Sequence, residues 1–171
     1  AGTTVLDLPA TSGTFITTGS SGQSIPKAAL PTGSVLQVVQ GTTSTGVSNN
    51  TSTLADTGLT ATITPLFSSS RILVQVCQNG LTKGPGNTGS GVQLQLLRNS
   101  TIIAKVQGYG GYTESSSYNW IGGVAGDYLD SPATTSATTY KTQFKNETNA
   151  TGVGVNQDGS TSTITLLEIA S

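Results

Sequence analysis

The most distinctive stretch of the chain is Gly108-Tyr109-Gly110-Gly111-Tyr112-Thr113-Glu114-Ser115-Ser116-Ser117-Tyr118-Asn119-Trp120. Three of the five Tyr and the single Trp fall within it. Flat amphipathic rings on a Gly- and Ser-rich backbone have the composition of a binding loop. Tyr109, Tyr112, Tyr118 and Trp120 could lie against sugar C–H faces or a protein receptor. Glu114, Asn119 and the neighbouring Ser would bond hydroxyls. These six residues form the candidate ligand-binding set. The spacing also allows a structural alternative, in which Tyr118 and Trp120 share one strand face and fill the core, where Trp usually ends up mostly buried. Residues 80–91 form a second candidate contact loop, rich in Gly and carrying Lys83. It has no Gly-Lys-Ser/Thr ending and no following helix, so it does not read as a phosphate loop.

Catalytic chemistry finds little to work with. The chain has no His, which excludes Ser-His-Asp and Cys-His nucleophile systems and an imidazole metal site. One Cys excludes an intrachain disulfide framework and a thiolate zinc site. Cys77 alternates with Val76 in an apolar strand and reads as a small buried hydrophobe. Glycoside cleavage needs two facing carboxylates. The closest pair among the eight acids is Asp127 and Asp130, in Gly126-Asp127-Tyr128-Leu129-Asp130-Ser131-Pro132. A separation of three does not place both on one strand face, and Pro132 suggests a turn. Turn capping by the Asp side chains is the main reading, and a carboxylate–carbonyl calcium site the lesser one. No enzymatic activity, cofactor or metal is expected. A net charge of −1 argues against nucleic-acid partners, which require clustered Lys and Arg.

The elements that would position these residues are strands. Charged residues make up 9% of the chain, against about 25% in an ordinary soluble domain. Ser and Thr occupy 51 of the 171 positions. No apolar run approaches 18 residues, so membrane insertion is not expected. Residues 35–40 read as a strand covered on both faces. Residues 59–64 and 92–97 alternate apolar with polar at period two, and 71–78 place Ile72, Val74 and Val76 on one face with Leu73, Gln75 and Cys77 on the other. Arg98-Asn99-Ser100 reads as a tight turn into a strand at 101–106. Further strands are expected at 117–124, 137–145 and 162–169. No segment carries a 3.6-residue apolar period with caps. About eight short strands between Gly- and Ser-rich turns imply an all-β chain, an antiparallel β-sandwich of Greek-key or jelly-roll type.

Residues 1–33 read differently. Short extended pieces at 5–9 and 14–18 are punctuated by Gly and by Pro9, Pro26 and Pro31. Alone this segment buries too little to fold, so it is expected to be an extended β stem or linker, with 34–171 as the head domain. The chain opens on Ala1 without Met, as a processed product or fragment would. A lean core would gain buried surface at an interface between copies.

Leu6-Asp7-Leu8-Pro9-Ala10-Thr11-Ser12-Gly13-Thr14, followed by Phe15-Ile16-Thr17-Thr18, resembles a repeated unit of bacteriophage tail fibres. Pro31-Thr32-Gly33-Ser34-Val35-Leu36-Gln37-Val38-Val39 is similar to the junction into a terminal domain in marine phage structural proteins. The runs 129–141 and 162–169 are similar to segments of the same proteins. Together these cover about a third of the chain, in order. The resemblance implies a homotrimeric fibre tip, with an interwoven stem and a jelly-roll head like those of tumour-necrosis-factor or complement-head domains. It implies a virion location outside the cell, with other fibre or tail proteins as partners. Its function would be attachment to a glycan or protein on the bacterial surface. The alternative is a capsid decoration or head-fibre protein that touches no host. The resemblance carries no site residues, so the aromatic set rests on its own chemistry.

Overall fold

The computed structural model describes residues 26–85, 89–148 and 152–171. The chain divides into two units, Ala1–Pro31 and Thr32–Ser171. In the first, the described residues carry one 3-10 turn, Lys27–Ala29. The extended pieces expected at 5–9 and 14–18 lie outside the described residues.

The second unit is an antiparallel β-sandwich with ten strands among its described residues. They are β1 (Val35–Thr43), β2 (Val47–Asn49), β3 (Ala55–Ile63), β4 (Arg71–Lys83), β5 (Ser90–Arg98), β6 (Thr101–Thr113), β7 (Asn119–Asp130), β8 (Thr138–Asn146), β9 (Val153–Val155) and β10 (Ser162–Ile169). One sheet runs β1-β10-β4, and β7 pairs the remaining edge of β4. Beyond the end of β10, β9 pairs β4 at Thr82 and Lys83, and β2 pairs β9. The opposing sheet runs β3-β8-β5-β6. The described residues contain no α-helix, and so none long and apolar enough to cross a membrane.

Period-two alternation produces the layers. Ile72, Val74 and Val76 of β4, with Ile164 and Leu166 of β10, point inward from the first sheet. Leu59 and Ile63 of β3, Leu94 and Leu96 of β5, and Tyr140 and Phe144 of β8 meet them from the second. Each such side chain stabilises the fold by about 1.5–3 kcal/mol through burial, set against the entropy of ordering it.

A polar layer crosses this core. The Gln78 amide donates to Asn156 Oδ1 at 2.6 Å and to Ser162 Oγ at 2.9 Å. The Thr142 hydroxyl donates to Gln78 Oε1 at 3.1 Å and lies 2.6 Å from Thr57 Oγ1. Asn156 Nδ2 donates to the carbonyls of Thr45 and Thr57. All five side chains are buried. Their mutual bonding removes the cost of burying unpaired polar groups and selects one register for the two sheets.

Several segments differ from the sequence expectation. Strand β4 runs to Lys83, where a loop was expected from residue 80. Strand β6 runs to Thr113 through Gly108, Gly110 and Gly111, and β7 continues to Asp130 instead of turning at 126–132. Glycine weakens a strand but does not forbid one, and here cross-strand pairing with register shifts absorbs it. Cys77 is half-buried on the outward face of β4, not buried in the core. The expected turn at residues 98–100 is present, with Asn99 at φ 54°. The Asn99 amide N–H donates to the Thr139 carbonyl, and its side-chain Oδ1 accepts from the Thr139 N–H.

Candidate functional site

All six candidate residues fall on β6, on β7 and on residues 114–118 between them. Strand β6 is the edge of one sheet and β7 the edge of the other, so this connection crosses from sheet to sheet. Tyr109 and Tyr112 lie on β6, and Asn119 and Trp120 on β7. Glu114 and Tyr118 lie in the crossover. The four rings are all in water: the three tyrosines are 46–49% exposed and Trp120 is 59% exposed.

This corrects the core reading of Tyr118 and Trp120. The pairing of β7 with β4 shifts register on both sides of Leu81, and Trp120 comes opposite Thr82. Each shift changes which side chains face the interior. Ile121 and Val124 are the β7 residues that pack against the core.

The rings form two edge-to-face pairs. Tyr109 and Tyr112 have centroids 5.5 Å apart, and Tyr118 and Trp120 are 5.9 Å apart. This geometry holds the rings in fixed orientations while about half of their surface stays solvated. The Tyr112 hydroxyl donates to Glu114 Oε1 at 2.9 Å. That bond, to a group which would repel a phenolate, raises the Tyr112 pKa above the ordinary tyrosine value. Asn119 Nδ2 donates to the Ser117 carbonyl at 2.9 Å. Glu114 and Asn119 therefore brace the aromatic segment, and each keeps further acceptor capacity for a ligand.

Two features below the surface hold the segment in place. Lys83 is fully buried, and its ammonium donates to the Ser115 carbonyl, tying the crossover to β4. Sequence reasoning missed this role because Lys83 sits in a Gly-rich run that reads as a loop. Gly111 lies at φ +60°, and a Cβ there would fall 1.0 Å from Ile121 Cγ2. Only glycine lets β6 approach β7 this closely.

The acidic pair is not a site. Asp127 is exposed on the outward face of β7, level with Gln75 of β4, whereas Asp130 is buried on the inward face. Asp130 accepts two bonds from Arg98 Nη1, both at 3.0 Å, and one from the Tyr140 hydroxyl at 2.7 Å. It is an ion-pair partner in a strand, not a turn cap. Burial, reinforced by the Asp130 carboxylate, pushes the Tyr140 pKa far above the usual tyrosine range. No group of three or more His, Cys, Asp or Glu suited to a metal occurs among the described residues. The second candidate loop is shortened at both ends, since 80–83 belong to β4 and 90–91 to β5.

No protein-family model matches the chain, and no curated protein matches it in sequence.

Proposed function

We propose that the chain is the receptor-binding tip of a bacteriophage tail fibre, working as a homotrimer that attaches the virion to a host glycan or surface protein. The observation that carries this reading is the exposure of Tyr109, Tyr112, Tyr118 and Trp120 on β6, β7 and the braced crossover between them. Solvated aromatic rings are unfavourable in a monomer's surface and are concentrated where proteins bind ligands. Many such tips on one particle would multiply a weak contact into firm attachment.

Two further observations support the architecture. The eight long strands divide four and four, β1-β10-β4-β7 opposite β3-β8-β5-β6, the division that a jelly roll requires. On the outward face of the first sheet, Val38, Leu167, Leu73 and Leu129 lie in one cross-strand row. Val38 and Leu129 at its ends are exposed, and the paired Val35 and Ile169 lie beside it. An apolar row across a solvent-facing sheet supports association of copies through that face.

Light scattering coupled to size exclusion, with binding of the labelled protein to marine bacterial isolates, tests the reading. A particle of three times 17.2 kDa that is captured by some isolates and not others is expected. A monomer at high concentration would refute the trimer. A trimer that binds no isolate would favour the capsid-decoration alternative.

A further inference from the structure

The pairing of β4 with β7 shifts register twice beside Trp120. Their pairing carries one extra residue on β4 between Gln78 and Leu81, then one extra on β7 between Trp120 and Gly122. Bulges of this kind re-aim side chains and disrupt the ladder locally. Beside them lies a groove of about 530 Å³, lined chiefly by Asn79, Trp120, Gly122, Gly123, Ser160 and Thr161. That volume lies inside the roughly 300–1,000 Å³ of small-molecule sites.

The lining has the chemistry of a saccharide site. Trp120 supplies an exposed indole, and the glycines form a floor without side chains. Among the described residues, no charged one lines the groove. Asn79 Nδ2 is committed to the Thr161 carbonyl at 2.7 Å, which orients the amide, while among the described residues Oδ1 meets only the Cys77 thiol, at 3.7 Å. The Ser160 and Thr161 hydroxyls make no side-chain hydrogen bond among the described residues, although the rest of this end of the sandwich is densely bonded. A Cβ on Gly123 would sit 2.4 Å from Asn79 Oδ1, so glycine is what leaves the amide room. An aromatic ring takes the C–H face of a sugar, and neutral amide and hydroxyl groups take its hydroxyls.

Resting on the attachment reading, we propose that this groove binds one neutral pyranose unit of the receptor glycan. The sugar stacks on Trp120 and bonds Asn79 Oδ1 and the hydroxyls of Ser160 and Thr161. A phosphate or a uronic acid would find no cation here.

Trp120 is the only Trp, so tryptophan emission reports directly from the groove. The full chain is titrated with glucose, galactose, mannose and N-acetylglucosamine to about 100 mM, a range that covers the weak affinity of single sugars. Glucuronate and inorganic phosphate are the charged controls. The groove predicts a saturable emission change and protection from acrylamide quenching with at least one neutral sugar. The double variant Ser160→Ala/Thr161→Val should keep the wild-type circular dichroism and weaken that sugar at least about tenfold. Flat emission with all four neutral sugars, an unchanged affinity in the double variant, or tighter binding of either charged control would overturn it. Cell binding, measured in parallel, separates the two claims. Cells bound without any sugar response overturn the groove alone, and a sugar response without cell binding overturns attachment and leaves the groove.

Discussion

Replacing Asp130 with Ala removes the acceptor that joins three strands. Asp130 ends β7, Arg98 ends β5, and Tyr140 sits on β8, so the cluster ties both sheets together at one end of the sandwich. The Tyr140 hydroxyl is fully buried and would lose its partner, at about 1–3 kcal/mol for an orphaned polar group. Arg98 has a side chain 30% exposed and can turn back to water. Its loss therefore falls nearer the ~1 kcal/mol of a surface pair than the roughly 3–5 kcal/mol of a fully buried one. Together these give about 2–4 kcal/mol for Asp130→Ala. Tyr140→Phe removes the hydroxyl and keeps the ring, leaving Asp130 its two Arg98 bonds, and should cost about 1 kcal/mol. The double variant should cost less than the sum by about 1 kcal/mol, because Tyr140→Phe leaves no hydroxyl to orphan. Urea unfolding followed by circular dichroism, at one fixed protein concentration, measures all three. A loss under about 0.5 kcal/mol for Asp130→Ala, or strict additivity in the double variant, would refute the reasoning.

The remaining predictions concern pH, the polar layer and the aromatic crossover. The Tyr140 phenol should stay protonated in the folded protein as pH rises past the ordinary tyrosine value; its ionisation before the circular dichroism changes would contradict its burial. Because the folded Tyr140 pKa is raised, its contribution is complete below about pH 10, the unfolded value, and is lost as pH rises toward the folded one. Asn156→Leu removes one acceptor from the Gln78 amide and from the Ser162 hydroxyl, and the donor to the Thr45 and Thr57 carbonyls, and should cost about 3 kcal/mol or more in urea unfolding; a cost below about 1 kcal/mol would mean the layer contributes little. Gly111→Ala should destabilise by about 2–3 kcal/mol through overpacking on Ile121 and the positive φ, with faster amide exchange at residues 114–118; unchanged exchange there would contradict the close approach of β6 to β7.

The strand pattern was largely legible in the sequence because alternation is a direct image of a half-buried strand. Residues 71–78, 92–97 and 162–169 were read as strands, and they form parts or all of β4, β5 and β10. Local composition misled where glycine had another purpose. Gly108, Gly110 and Gly111 read as a loop, yet they lie on an edge strand whose close approach to β7 requires a missing Cβ. The three-residue strands β2 and β9 are too short to leave a periodic signal. The polar layer was equally hidden, since Gln78, Asn156 and Ser162 become partners only through pairings of distant strands.

Reading the site followed the same division. Ring clustering in 108–120 marked the segment, but exposure depended on bulges that no spacing rule announces, so Trp120 could be assigned either to core or to contact. Asn79, Ser160 and Thr161 come together beside it from β4 and from the run into β10, with no local motif to flag them. Lys83 was masked by its Gly-rich neighbours.

The most direct test of the central claim is quantitative binding of the labelled full chain to a bacterial isolate that captures it, compared with Tyr109→Ala, Tyr112→Ala and Trp120→Ala. All three side chains are exposed, so the variants should match the wild type in thermal unfolding. If the crossover is the contact surface, each should bind at least about tenfold more weakly, in the manner of interface aromatics. Wild-type binding by all three well-folded variants would contradict the account and place the contact elsewhere on the head.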